Sequence, residues 1–424
     1  MQKPQGWSNI VQTLRNRHYR TFLIGRAAYH TTSWMYRMAI GWMVWDMTHS
    51  ATLLGLFAFL DHVWALIVMP LAGVLSDRMN RLTFMRITQG LLVVQSLILS
   101  ALIVFDWITI EILAIMTVYF GAVSAAQQPA SQSLVPSLVP RDSLTAAYGL
   151  NSLSLNLSRF VGPMLGGVII ANGGIEYAIV GNAVGAGIFS ISLSVMQANF
   201  DAAPMKRDKP TKMLRDVVEG IRYASRHPGI GRLMILLMIL STVSFPFEQI
   251  VPSIADGVYE AGPQGVAWMI GLLAIGAFCQ ASHLARRGGI EGVTAYVVRA
   301  VLILAVALLC LAASPWFGMA LPGAFFFGLA ASSIRVGALT LQQFAVEPHI
   351  RGRVASLFGA INHTGPAVGS LLIGAMADLV GMRPTLYAVG VVTVGVWLWA
   401  MANRQTMAAA LEVEPQERAA GPTL

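Results

Sequence analysis

The chain has 424 residues and a formal net charge of +8, with 56% hydrophobic and only 11% charged side chains. Ordinary soluble domains carry roughly 25% charged residues, so a water-soluble globular protein is excluded. The residues form no phosphate-binding Gly-Lys loop, no short-spaced metal-ligand cluster and no soluble domain large enough to hydrolyse ATP. The chain is therefore expected not to be an enzyme and to need no cofactor or metal.

Apolar runs of about 20 residues, each able to cross a roughly 30 Å hydrocarbon core, recur from end to end. The first follows a polar, basic segment, 1–19, and is too long for a signal peptide, so no cleavage is expected. Spans are predicted at about 20–47, 52–76, 82–105, 108–134, 143–172 and 175–199, then at about 233–255, 267–284, 292–314, 317–344, 354–380 and 384–403. The expected fold is an all-α polytopic membrane protein with twelve transmembrane helices in two pseudo-symmetric six-helix halves, 20–199 and 233–403. Residues 200–232 form a polar central loop. Met213, Val217, Val218, Ile221 and Tyr223 fall there at helical spacing and predict an amphipathic helix on the membrane surface. The polar tail, 404–424, is expected to be mobile. Cys279 and Cys310 lie inside apolar runs and read as small packing residues, not as a disulfide or metal pair.

Of the 28 Lys and Arg, six fall within spans, and only Arg383 would lie in an outer loop if the N-terminus is inside. Positive charge is retained on the cytoplasmic side during insertion, so both termini are expected there, in a cell membrane that is expected to be a bacterial inner membrane. The positive balance is then a matter of topology, and no nucleic-acid partner is expected. The halves also repeat: "GPMLGG" at 162–167 and "GPAVGS" at 365–370 each stand in the fifth run of their half. Such a repeat implies a transporter with its site between the halves near the bilayer midplane.

The charged joint "GVLSDRMNRL" at 73–82 interrupts this pattern. It resembles the signature loop of the major facilitator superfamily, with Gly73, Asp77, Arg78 and Arg81 in the matching places. Gly73 admits a close helix neighbour. Asp77, at a helix end, can pair with an Arg or cap a helix, and the resemblance implies a gating latch of one access state. The alternative is that these charges solvate a tight loop. The second-half joint "SHLARRGGIEG" keeps Arg286 and Arg287 without the acid, so the latch is expected on one side only.

Further motifs, "TSWMYRMAIGWMVWDMTHSATLLGL", "PASQSLVPSLVPRDSL", "NLSRFVGPMLGG" and "EPHIRGRVASLFGAINHTGPAVGSLLIGAMAD", resemble the exporter branch of that superfamily that includes the enterobactin exporter and macrolide efflux proteins. The segment of Gly162, Pro163, Gly166 and Gly167 is similar to the superfamily's antiporter motif, and Gly365, Pro366 and Gly369 repeat it. Ser158 departs from that motif, which has a glycine there. Proline removes a backbone hydrogen bond and glycine permits a bend and close packing; the alternative to an antiport role is that the segment only packs helices.

Arginine at mid-membrane costs roughly 2.5–3.5 kcal/mol on insertion scales. Arg26, Arg86 and Arg299 lie near cytoplasmic ends and can snorkel. Arg37 and Arg159 lie near mid-helix and Arg335 somewhat nearer the inside, so each should face the bundle interior and find a partner. Asp61 and the adjacent His62 could carry a proton, or Asp61 could form a static ion pair with Arg37. Glu248 and His363 are second-half counterparts. Asn151, Asn156, Gln127, Gln128, Gln249 and Asn362 could line a cavity or join helices.

These residues predict a monomeric secondary transporter that exports a small organic molecule by alternating access, with protons as coupling ion and the bilayer as surroundings. Three midplane arginines against two carboxylates suggest a siderophore-like, drug-like or other organic anion. The alternatives are an importer or facilitator of a small metabolite, and a transporter-like protein serving as an assembly or sensing partner.

Overall fold

Polar side chains punctuate a chain that is otherwise apolar enough to form helix almost without interruption. In the computed structural model, which describes residues 7–64, 67–69, 71–72, 75, 79–140, 143–197, 213–287, 289–347 and 350–413, helices dominate and no strand occurs among those residues. The first half contains α1 (Trp7–Arg15), α2 (Arg17–Thr48), α3 (Ala51–His62), α4 (Arg81–Val104), α5 (Ile110–Leu138), α6 (Leu144–Asn172) and α7 (Ile175–Gln197). The remainder contains α8 (Met213–Arg226), α9 (Pro228–Val243), a 3-10 turn (Phe245–Glu248) and α10 (Val251–Ala255). It continues with α11 (Gly262–Arg287), α12 (Val293–Ala313), α13 (Phe317–Ala345), α14 (Arg351–Val380), α15 (Met382–Ala402) and α16 (Arg404–Leu411).

The starts are capped as their residues suggest. Asn16 Oδ1 accepts from the backbone N–H of His18 at 3.0 Å and Tyr19 at 3.2 Å. Asn80 Oδ1 does the same for Leu82 at 2.9 Å. His227 Nδ1 caps α9 ahead of Pro228, accepting from Ile230 N–H at 3.1 Å. Each cap satisfies a donor that the first helical turn would otherwise leave open.

Ten helices among the described residues are long and apolar enough to cross a membrane. Two more polar helices, α2 with 32 residues and α14 with 30, are also long enough and bring the count to the expected twelve. The seventh run is not one helix: it breaks after Val243 into the 3-10 turn and the short α10. Pro246 and Pro252 each lack an N–H and crowd the carbonyl four residues back. Ser244 at the break shares a hydrogen bond with buried Thr393 of α15, 2.9 Å away.

The described residues form two units, one of Met1–Thr48 with Leu60–Arg207, the other of His49–Phe59 with Asp208–Leu424. In the first, α2 packs on α6 and α7, and α4 on α5 and α7. In the second, α11 and α12 pack on α13, α12 on α15, and α9 on α14. With no hydrophobic drive between helices in lipid, close backbone approach supplies the attraction. Gly276 of α11 faces the Phe325 carbonyl of α13, and Gly328 of α13 faces the Leu273 carbonyl, with no room for a methyl at either.

Two peripheral elements differ from expectation. The tail begins as α16 with Met407 and Leu411 fully buried, because Glu412 Oε1 and Oε2 cap α12 through the N–H groups of Thr294 and Gly292, both at 2.7 Å. The helix expected in the central loop is α8, and it lies against α14 through a Glu219–Arg353 ion pair. Val218 and Ile221 of α8 stay exposed. Cys279 and Cys310 are free and exposed on helix faces, not interior packing.

Candidate functional site: two carboxylate–arginine clusters

In the first unit, α2 and α3 bring Arg37 and Asp61 together, with Arg37 Nε donating to Asp61 Oδ2 at 2.7 Å. One turn back on α2, Ser33 Oγ accepts from the same guanidinium at 2.9 Å. Its plane also lies 5.0 Å from the Phe120 ring and 5.5 Å from Trp34, both within cation–π range. His62 Nδ1 approaches the same Asp61 Oδ2 at 3.5 Å. Asp61 Oδ1 is buried without a hydrogen-bond partner among the described residues. An acceptor left open in this way carries a desolvation cost that a donor atom placed there would relieve. Gly121 of α5 lies against the Asp61 backbone without room for a Cβ, which fixes the depth of the carboxylate.

The second unit repeats the arrangement with other helices. The 3-10 turn carries Glu248 and α13 carries Arg335, whose Nη1 donates to Glu248 Oε1 at 2.9 Å. Arg335 stacks over Phe245, 4.1 Å from the ring centre. The helix break created by Pro246 is what presents Glu248, since irregular backbone at this depth persists only where protein or a water-lined cavity surrounds it.

Arg159 of α6 stacks on Trp34 at 5.1 Å, so Trp34 is shared by two arginines. Asn156 and Asn362 turn back on their own helices, bonding the carbonyls of Ser152 and Phe358 at 2.9 Å each. His363 is exposed on α14. Gly73, Asp77 and Arg78 lie outside the described residues; Arg81 is the buried first residue of α4.

The glycine–proline segments run as uninterrupted helix through Pro163 and Pro366. Gly162 and Gly166 of α6 lie against Thr31 and Met35 of α2, while Gly365 and Gly369 of α14 lie against Ser241 and Thr242 of α9. Gly167 is buried beside them in α6. Ser158 accepts from Thr31 Oγ1 at 3.0 Å and donates to the Ala27 carbonyl at 3.3 Å, tying α6 to α2 where a glycine could not.

Arg26 does not snorkel. It is 4% exposed, donates to His30 Nε2 at 3.1 Å and lies over Phe22, and the adjacent Gly25 packs closely on Ser192 and Phe189 of α7. A buried network also escaped the sequence reading: Gln95 donates to Tyr36 Oη at 2.8 Å, and Asn182 donates to Ser96 Oγ at 2.9 Å. Gln95 and Ser96 are themselves in contact, at 3.3 Å. Tyr36 stacks on Phe120 at 4.3 Å, which joins the network to the ring under Arg37. Polar residues in apolar runs gave the signal, but three separate helices had to meet before it could be read.

Residues 8–424 match the family model described as transmembrane secretion effector. The chain is 26% identical to the enterobactin exporter EntS of Shigella boydii, covering 83% of this chain and 84% of that one. It is 25% identical to the multidrug efflux pump Tap of Mycolicibacterium fortuitum, over 83% and 87%, and 24% identical to the staphyloferrin A transporter of Staphylococcus aureus, over 85% and 90%. Among solved structures, an inward-facing bacterial homologue of the human lysosomal transporter Spinster matches in fold with a TM-score of 0.71 and 15% identity, over 94% of this chain and 99% of that one. The nucleoside transporter NupG matches with a TM-score of 0.70 and 11% identity, over 91% and 98%. The described helices, the family match and the fold agree: this chain is a multi-pass membrane transporter belonging to the transmembrane secretion effector family of the major facilitator superfamily.

Proposed function

We propose that the chain exports a small organic anion in exchange for protons. The observation that carries this reading is the pair of largely covered carboxylates that each bond an arginine, Asp61 with Arg37 and Glu248 with Arg335. A carboxylate in such a pair exchanges its arginine for a proton when the guanidinium turns to another anion, and this links substrate binding to protonation. Asp61 is the better carrier, with Oδ1 open and His62 beside Oδ2. The anionic class is supported by three midplane arginines against two carboxylates and by relatives named for enterobactin and staphyloferrin A. The transporter works as a monomer in the inner membrane, with both termini cytoplasmic, as the Lys and Arg distribution favours.

Everted vesicles with an imposed pH gradient test the coupling, using enterobactin as the anionic probe and ethidium as a cationic one. Asp61→Asn and Glu248→Gln are expected to reduce gradient-driven accumulation of enterobactin at least tenfold while downhill exchange persists. Full gradient-driven transport in both variants refutes the proton role. Accumulation of ethidium without enterobactin refutes the anionic substrate.

A further inference from the structure

Asp378 sits in the last turn of α14 and reaches the first turn of α3. Its Oδ1 accepts from the Ala51 N–H at 2.8 Å, and its Oδ2 accepts from the Thr52 N–H at 2.9 Å and from Ser50 Oγ at 2.6 Å. One carboxylate thus does from another helix what an N-cap side chain does from its own, with its charge favourably placed at the positive end of α3. Behind it the two backbones touch. Gly374 lies against the Ala51 carbonyl and Gly55 against the Ser370 carbonyl, both without room for a methyl. Ser370 Oγ donates to the Gly55 carbonyl at 3.2 Å.

This docking divides α3. Residues 49–59 belong to the second unit, whereas Leu60, and with it Asp61, belongs to the first. Ala51 and Leu54 are each 2% exposed against their neighbours, yet Asp378 itself is exposed. Water can replace each bond that Asp378 makes, so the contact can part without leaving a buried group unsatisfied.

We propose that Asp378 is a positioning residue of the transport cycle, which holds the start of α3 on α14 in one access state and releases it in the other. The inference goes beyond the proposed function, resting on the alternating-access fold alone and not on proton coupling or substrate charge.

Alkylation by a membrane-impermeant maleimide tests it in the full-length protein carrying Cys279→Ser and Cys310→Ser. Ala51→Cys reports on the docked face, and Leu54→Cys serves as a second reporter there. Ala330→Cys, fully buried in α13, reports on unfolding. Adding Asp378→Ala or Asp378→Asn is expected to speed alkylation at positions 51 and 54 about tenfold, the factor carried by a hydrogen bond to a charged group, and to leave position 330 unreacted. Asp378→Glu, which keeps the charge, is expected to slow it again. Ser370→Cys, at a fully buried position on α14 against Gly55, separates parting of the two helices from fraying of a merely structural cap, which would speed alkylation at 51 and 54 and leave 370 unreacted. That result, no change at 51 and 54, or an equal rise at 330 each overturns the proposal.

Discussion

Arg37 and Asp61 illustrate how a buried charge is made tolerable. Ser33, Phe120 and Trp34 surround the guanidinium, and 27% of its side chain stays accessible against 9% for Asp61. Removing one partner of a fully buried pair costs about 3–5 kcal/mol because the other charge is left uncompensated. The remaining exposure of Arg37 should reduce that to about 2 kcal/mol. Arg37→Gln and Asp61→Asn are each expected to lower thermal stability in detergent, and the double variant to lose less than the sum. Strict additivity in that double-mutant cycle would show that the pair contributes nothing as a pair.

Helix α14 places two kinds of glycine in one element. Gly369 lies against the Thr242 carbonyl of α9, whereas nothing stands within 4 Å of a Cβ added at Gly359. Gly369→Ala should therefore force the helices apart and destabilise the protein by about 1–3 kcal/mol. Gly359→Ala should be neutral or stabilise by up to about 1 kcal/mol, since alanine is the better helix former. Melting temperatures of the two variants decide the matter; equal effects would mean that α14 and α9 do not approach as closely as described. The same contrast separates the glycine–proline motif's packing from mere helix content, because α6 and α14 both continue through their prolines.

For the molecule as a whole, orientation remains the strongest expectation from charge. The six arginines inside spans aside, a cytoplasmic N-terminus leaves only Arg383 in an outer loop. Arg383 bonds the carbonyl of Ser314 at 2.7 Å and lies over Tyr259, 5.5 Å from the ring, so it is anchored at a junction of helices. A phosphatase fused after Leu424 is expected to be inactive in the periplasm assay, and the same reporter inserted at Asp106 to be active. The reverse pattern would invert the proposed topology.

Much of this was legible in the residues themselves. Runs of apolar side chains long enough to cross a bilayer prescribe helices wherever they occur, because unpaired backbone groups are intolerable in hydrocarbon. The Arg37–Asp61 pair was one of two readings open at the outset, since an arginine and a carboxylate at similar depth in adjacent helices attract strongly there. The partner of Arg335 was not readable, because Glu248 and Arg335 are 87 residues apart and meet only through the break at Pro246. Nor could hydropathy separate a snorkelling Arg26 from a buried one; neighbouring helices had to cover it first. The docked start of the tail and the division of α3 between the units follow the same rule. Chain composition sets which segments become helices, but which helix faces another depends on small residues and lone carboxylates whose partners lie far along the chain, and only folding brings those together.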